Sequence, residues 1–98
     1  MPAEGVDATR DAVFSAGAGR IGFYERCSFI SEGIGTFYGG LGTSPAIGES
    51  GREERFPELR VEVVVPAEAL KRVVEALIEA HPYEEVAYDL FALAEPPL

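Results

Sequence analysis

The chain has 98 residues, with 17 acidic side chains against 8 basic ones and a formal net charge of −9. That length suits one domain, residues 1–98, and excludes a second core, because chains divide into separate cores only well above this size. The acidic balance repels phosphate backbones and anionic headgroups, so neither nucleic acid nor a membrane surface is expected as a partner.

In chain order, Val6 to Ala16 sets Val6, Ala12, Val13 and Ala16 on one side and Asp7, Arg10 and Asp11 opposite. This spacing predicts a short helix closed by Gly17-Ala18-Gly19. Ile21, Phe23, Cys27 and Phe29 then alternate with more polar residues, the period-two pattern of a half-buried strand. Ser31-Glu32-Gly33 interrupts that run and Ile34 to Tyr38 resumes it, so the pair is predicted to form a hairpin. Gly39 to Pro57, rich in glycine and holding Arg52-Glu53-Glu54-Arg55, is predicted to be a long loop. Leu59 to Val65 alternates with high β-branched density and predicts a strand ended by Pro66. From Ala67 to Ala80, Leu70, Val73, Val74, Leu77 and Ile78 fall at helical spacing, and Pro82 ends that helix near Ala80. Val86 to Leu93 alternates again and predicts a last strand, followed by the tail Glu95-Pro96-Pro97-Leu98. The order helix, hairpin, loop, strand, helix, strand implies an α+β fold with two helices on one face of an antiparallel sheet.

Three groups of residues bear on chemistry. Gly17-Ala18-Gly19-Arg20-Ile21-Gly22 spells G-x-G-x-x-G, but a dinucleotide turn needs a strand before it and a helix after it. Here the order is reversed, so the segment is expected to cap a helix C-terminus, with Arg20 near the last carbonyls. His81-Pro82-Tyr83-Glu84-Glu85 gathers the only histidine, a tyrosine and two carboxylates. Such a set transfers protons or contributes to a metal site, yet zinc needs three or four ligands and no spaced His or Cys partner lies elsewhere in the chain. The alternative is structural, with His81 at the helix end, Pro82 redirecting the chain and Tyr83 packed at an interface. Cys27, in phase with Phe23 and Phe29, is expected to be a small buried hydrophobe. Tyr24, Phe29, Phe37 and Tyr38 crowd the hairpin, and aromatics on a ribbon need something to cover them, which points to a second subunit. With a single cysteine, no signal-peptide pattern and no apolar run beyond Val63 to Ala67, a cytoplasmic location is expected.

Two stretches, Gly17 to Tyr24 continuing through Cys27-Ser28-Phe29 and Gly33-Ile34-Gly35-Thr36-Phe37, and His81-Pro82-Tyr83-Glu84-Glu85-Val86-Ala87-Tyr88-Asp89, together with Pro45-Ala46-Ile47-Gly48, resemble the YqfO-type domain. This domain occurs alone and as the insert of Nif-three-like proteins. His81-Pro82-Tyr83-Glu84 is also similar to the closing motif of CutA. The resemblance implies a ferredoxin-like fold of the CutA and PII kind and a homo-oligomer, dimer or trimer. It also implies that the metal ligands of the larger proteins lie in regions flanking this insert. In that family a strand ending in Val-Pro precedes the first helix, whereas this chain opens with Met1-Pro2-Ala3-Glu4-Gly5, so the first strand is expected to be missing and its neighbours to need partners.

The expectation is thus a non-catalytic assembly or regulatory module without cofactor. His81, Tyr83, Glu84, Glu85, Arg20 and Tyr24 are its candidate ligand or interface residues. The alternative is a metal-binding or small-ligand-sensing protein with a site at a subunit boundary, where His81 with Glu84 and Glu85 would take a divalent ion and the Gly39 to Gly51 loop would be the mobile element.

Overall fold

The computed structural model describes residues 1–43, 49–83 and 86–94. Glu84, Glu85, Pro45-Ala46-Ile47-Gly48 and the Glu95 to Leu98 tail lie outside them. Helix α1 spans Ala3–Ser15, strand β1 Phe29–Tyr38 and strand β2 Glu53–Glu62, while a single 3₁₀ turn, Ala67–Ala69, leads into helix α2, Leu70–Ala80. The architecture is α+β, with one antiparallel two-stranded sheet and two helices.

The helices meet where their apolar stripes coincide. Val13, Phe14, Ala18, Ala69 and Val73 are buried together, and Ala16, Val63, Val65 and Leu77 pack around them. Fully burying a valine or phenylalanine side chain contributes about 1.5–3 kcal/mol. The guanidinium groups of Arg10 and Arg26 lie 5.2 and 4.9 Å from the centroid of the Phe14 ring, so cations close the outer side of the core. Helix α1 ends as its sequence predicts. Gly17, at φ 118°, donates to the Phe14 carbonyl, and Ala18 donates to the Val13 carbonyl. This pairing of bonds is the Schellman motif, and it needs the positive φ that glycine adopts without a Cβ clash. Backbone amides cap the helix here, while Arg20 extends into solvent.

The sheet departs from expectation at three places. Ile21 to Ser28 is not a strand: Ile21 and Tyr24 exchange two backbone hydrogen bonds across a tight turn that leaves Phe23 fully exposed, at 105%. Cys27 is accordingly half-buried rather than a core residue in phase with Phe23. The strand begins at Phe29 and runs straight through Ser31-Glu32-Gly33, because Arg60, Leu59 and Glu58 of β2 pair with these residues and supply the ladder. Strand β2 starts at Glu53, inside the predicted loop, and ends at Glu62 rather than at Val65, so the Arg52 to Arg55 run lies at the start of a strand. Finally, residues 86–94 carry no strand, and Tyr88, Leu90, Phe91 and Leu93 are exposed. Alternation alone does not make a strand where no neighbouring edge receives it.

The hairpin extends beyond the helices. The molecule measures 52 × 23 × 22 Å with a radius of gyration of 15.3 Å, against about 12.6 Å for a compact chain of this length. Its accessible surface of 7369 Å² compares with roughly 5,400 Å² expected for a compact fold. Among the described residues, no helix is long and apolar enough to cross a membrane.

Candidate functional site

The His81-Pro82-Tyr83 segment leaves α2 and reaches the hairpin. His81 donates its backbone N–H to the Leu77 carbonyl at 2.9 Å, then turns extended, at φ −71° and ψ 136°, as the residue before a proline must. The Pro82 ring packs against α1 at Gly5. The Tyr83 backbone N–H returns to His81 Nδ1 at 3.1 Å, and the two rings lie 4.7 Å apart. This local bond fixes the tyrosine so that its ring meets the edge of Phe56 at 6.3 Å, and Phe56 in turn meets Phe37 at 5.7 Å.

At the tip of the tyrosine, its hydroxyl donates to Glu58 Oε2 at 3.1 Å. The other carboxylate oxygen of Glu58 faces the Met1 ammonium at 3.4 Å. The Glu58 carboxylate also lies over Gly35, in the space a Cβ there would take. Met1 and Leu59 exchange two backbone hydrogen bonds of 2.7 Å on the side of β2 away from β1. Of the edges expected to want partners, that one is met at Leu59.

The electrostatics follow from this packing. Burial pushes the Tyr83 phenol well above its ordinary pKa, and the adjacent Glu58 charge and hydrogen bond push it the same way. The phenol is therefore a firm donor and no base. Burial pushes the His81 imidazole below its ordinary value, helped by the Met1 ammonium and opposed by Glu58, which favours the neutral ring. A neutral imidazole accepting from a backbone amide, next to a protonated phenol clamped on a carboxylate, holds segments together. Among the described residues, no side-chain nucleophile is paired with a base in it.

The structure separates the sequence candidates into two groups. His81 and Tyr83 sit at the N-terminal end of α1, by Gly5. Arg20 lines a cleft of about 150 Å³ with Phe14, Glu25 and Arg26 at the other end, and Tyr24 lies exposed in the turn beside it. Gly5 and Phe14 stand nine residues apart on α1, about 14 Å along its axis. Among the described residues, no group of three or more His, Cys, Asp or Glu side chains could hold a metal ion. Sequence reasoning missed Phe56 and Glu58. Phe56 fell in a segment read as loop, and Glu58 immediately preceded the predicted strand.

No family model matches the chain. It is 53% identical over 98 residues to a protein of Mycobacterium tuberculosis described as a GTP cyclohydrolase 1 type 2 homolog, covering 100% of this chain and 26% of that one. A Bacillus subtilis protein of the same description is 46% identical over 97 residues, covering 99% and 26%. The crystal structure of a Bacillus cereus protein related to NIF3 superimposes with a TM-score of 0.78 at 42% identity, covering 97% of this chain and 24% of that one. The chain thus spans about a quarter of the length of these relatives, and the similarities support a NIF3-like domain.

Proposed function

We propose that this NIF3-like domain is a non-catalytic assembly module that forms homo-oligomers through its hairpin, within a ferredoxin-like arrangement of the CutA and PII kind. The observation that carries this reading is the uncovered hairpin face. Alternation along the paired strands puts Ile30, Ile34 and Tyr38 on one face together with Pro57, Leu59 and Val61, with Glu32, Thr36, Glu53 and Arg55 among them. Ile34 is 63% and Tyr38 66% exposed. A groove of about 460 Å³ runs over this face, lined by Ile34, Pro57, Leu59, Glu32 and Ala3. An apolar surface of this kind on a soluble chain marks an interaction site.

The His81-Pro82-Tyr83 turn serves the same end by bracing the hairpin against the helices, so that the face is presented rigidly. The cyclohydrolase in the relatives' description belongs to proteins about four times as long. A native mass spectrum of the purified chain tests the reading. A homo-oligomer without stoichiometric metal is expected, and it persists in the His81→Ala variant or weakens. A monomer at micromolar concentration overturns the reading. So does a stoichiometric metal that His81→Ala removes at unchanged assembly.

A further inference from the structure

The glycine run after α1 does more than cap the helix. Past the cap, Gly19 donates its N–H to the Val64 carbonyl and accepts from the Cys27 N–H, each at 2.8 Å, while Ile21 and Tyr24 close the tip. Residues 19–27 thus form a loop pinned at its base and at its turn. Four residues between 17 and 26 take positive φ: Gly17, Gly19, Gly22 and, at 57°, Arg26, the one non-glycine to do so among the described residues. A Cβ is disfavoured in that region, so the side chain at position 26 is kept against a backbone cost that glycine avoids at three neighbouring positions.

That side chain sets charge at a fixed place. Arg26 lies over the Phe14 ring and pairs with Asp11 at 2.6 Å, while Arg10, on the same ring, donates to Ser28 Oγ at 3.2 Å. A guanidinium has five N–H donors, and Asp11 takes one of those of Arg26, which leaves others for a ligand. Arg72 of α2 brings Nη2 to 3.8 Å from where a Cβ would stand at Gly17. With Arg20, four of the chain's eight basic residues gather at this end of α1, in a protein of net charge −9. Arg20 makes no ion pair among the described residues. Together with Glu25 and Arg26 it lines the cleft of about 150 Å³ beside Phe14, and the backbone N–H groups of these three residues have no backbone acceptor among the described residues.

Cations, backbone donors and one carboxylate around a small open space suit an oxyanion that still carries a proton. Guanidinium and amide N–H groups donate to the charged oxygens, and a carboxylate, which only accepts, takes the remaining O–H. Sulfate, ionised carboxylates and phosphodiesters have no such proton to give. The volume is well below the roughly 300 Å³ at which pockets begin to hold drug-sized ligands, so the fit is to a single phosphate group. We propose that this cleft binds the phosphate group of hydrogen phosphate or of a phosphomonoester, with Arg20 and Arg26 on the charged oxygens and Glu25 accepting from the protonated one. The site does not depend on the assembly reading. It also differs from a dinucleotide turn, because its donors come from the loop beyond a helix C-terminus, where the Val13 and Phe14 carbonyls are already taken by Ala18 and Gly17.

The test follows the amide resonances of the whole chain as inorganic phosphate, methyl phosphate or sulfate is added at constant ionic strength and about pH 6, where a phosphomonoester keeps much of its second proton. The expected result is a saturable shift of the Arg20, Glu25 and Arg26 amides at millimolar inorganic phosphate, with sulfate binding at least about tenfold more weakly. Arg20 and Glu25 are exposed, so their variants keep the fold, and unchanged Gly17 and Ala18 amides show it. Arg20→Gln is expected to lose at least about tenfold in phosphate affinity, and Glu25→Gln to remove most of the preference over sulfate. Methyl phosphate that matches inorganic phosphate supports the site and places its ligand among phosphomonoesters; methyl phosphate that fails where inorganic phosphate binds supports it and confines the ligand to the free ion. No saturable shift, equal affinity for sulfate, or a phosphate affinity that survives Arg20→Gln overturns the proposal.

Discussion

The helical end and the hairpin end of this molecule are built from similarly apolar sequence and reach opposite states. Val73 in α2 is 5% exposed, while Ile34 in β1 is 63% exposed. The difference is in the partners each element finds. Each helix carries one apolar stripe, and the two stripes close on each other and on Val63 and Val65. A two-stranded ribbon has two faces and two edges, and among the described residues cover lies on the face where Phe37 and Phe56 meet Tyr83 and at the edge where Met1 pairs with Leu59. The lesson is that apolar residues fold a domain only where geometry brings a second surface to them, and otherwise mark where another molecule is to come.

The largest effect that sharpens this contrast is truncation of matched aromatics. Phe14→Ala is expected to cost about 3–5 kcal/mol of folding stability, from lost burial and the stacked arginines, whereas Phe23→Ala stays within about 0.5 kcal/mol. Urea denaturation of both variants checks this, and equal losses would contradict the division into a cored and an uncored end. A smaller effect tests the brace between the ends. Tyr83→Phe keeps the ring on Phe56 but removes the bond to Glu58, and a loss of about 1 kcal/mol is expected in the same assay.

The smallest is a pH dependence at the same joint. The folded state holds His81 below its ordinary pKa of about 6.5, so the unfolded chain takes up the proton more readily. The stabilisation is complete above about pH 6.5 and is lost as pH falls through the lower folded value. Between about pH 8 and pH 5 the urea midpoint of the wild type should therefore fall further than that of His81→Gln. A parallel decline in the two proteins would remove His81 from the brace.

Much of the helical end was legible from the residues. The spacing of Leu70, Val73, Val74, Leu77 and Ile78 with Pro82 placed the end of α2 at Ala80, where it lies. The glycine run after Ala16 was identified as a cap, and its bonds are those of a cap. The sheet was less legible. Ile21 to Phe29 has the alternation of a strand, yet Ile21 to Tyr24 forms a turn and strand begins only at Phe29, while Ser31-Glu32-Gly33 looks like a break and is strand. Of the site, His81 and Tyr83 stood out by residue type, but their partner Glu58 did not, since a glutamate just before a predicted strand resembles any solvated charge.

What the sequence by itself determined is therefore local: the two helices, their ends, the acidic surface and the turn after α2, each set by interactions within a few residues. Tertiary structure decided the strand boundaries, the pairing of Glu58 with Tyr83, and the split of the candidates between opposite ends of α1. These depend on which distant segments meet, and backbone hydrogen bonds to a partner strand outweigh the modest preferences that residues carry on their own.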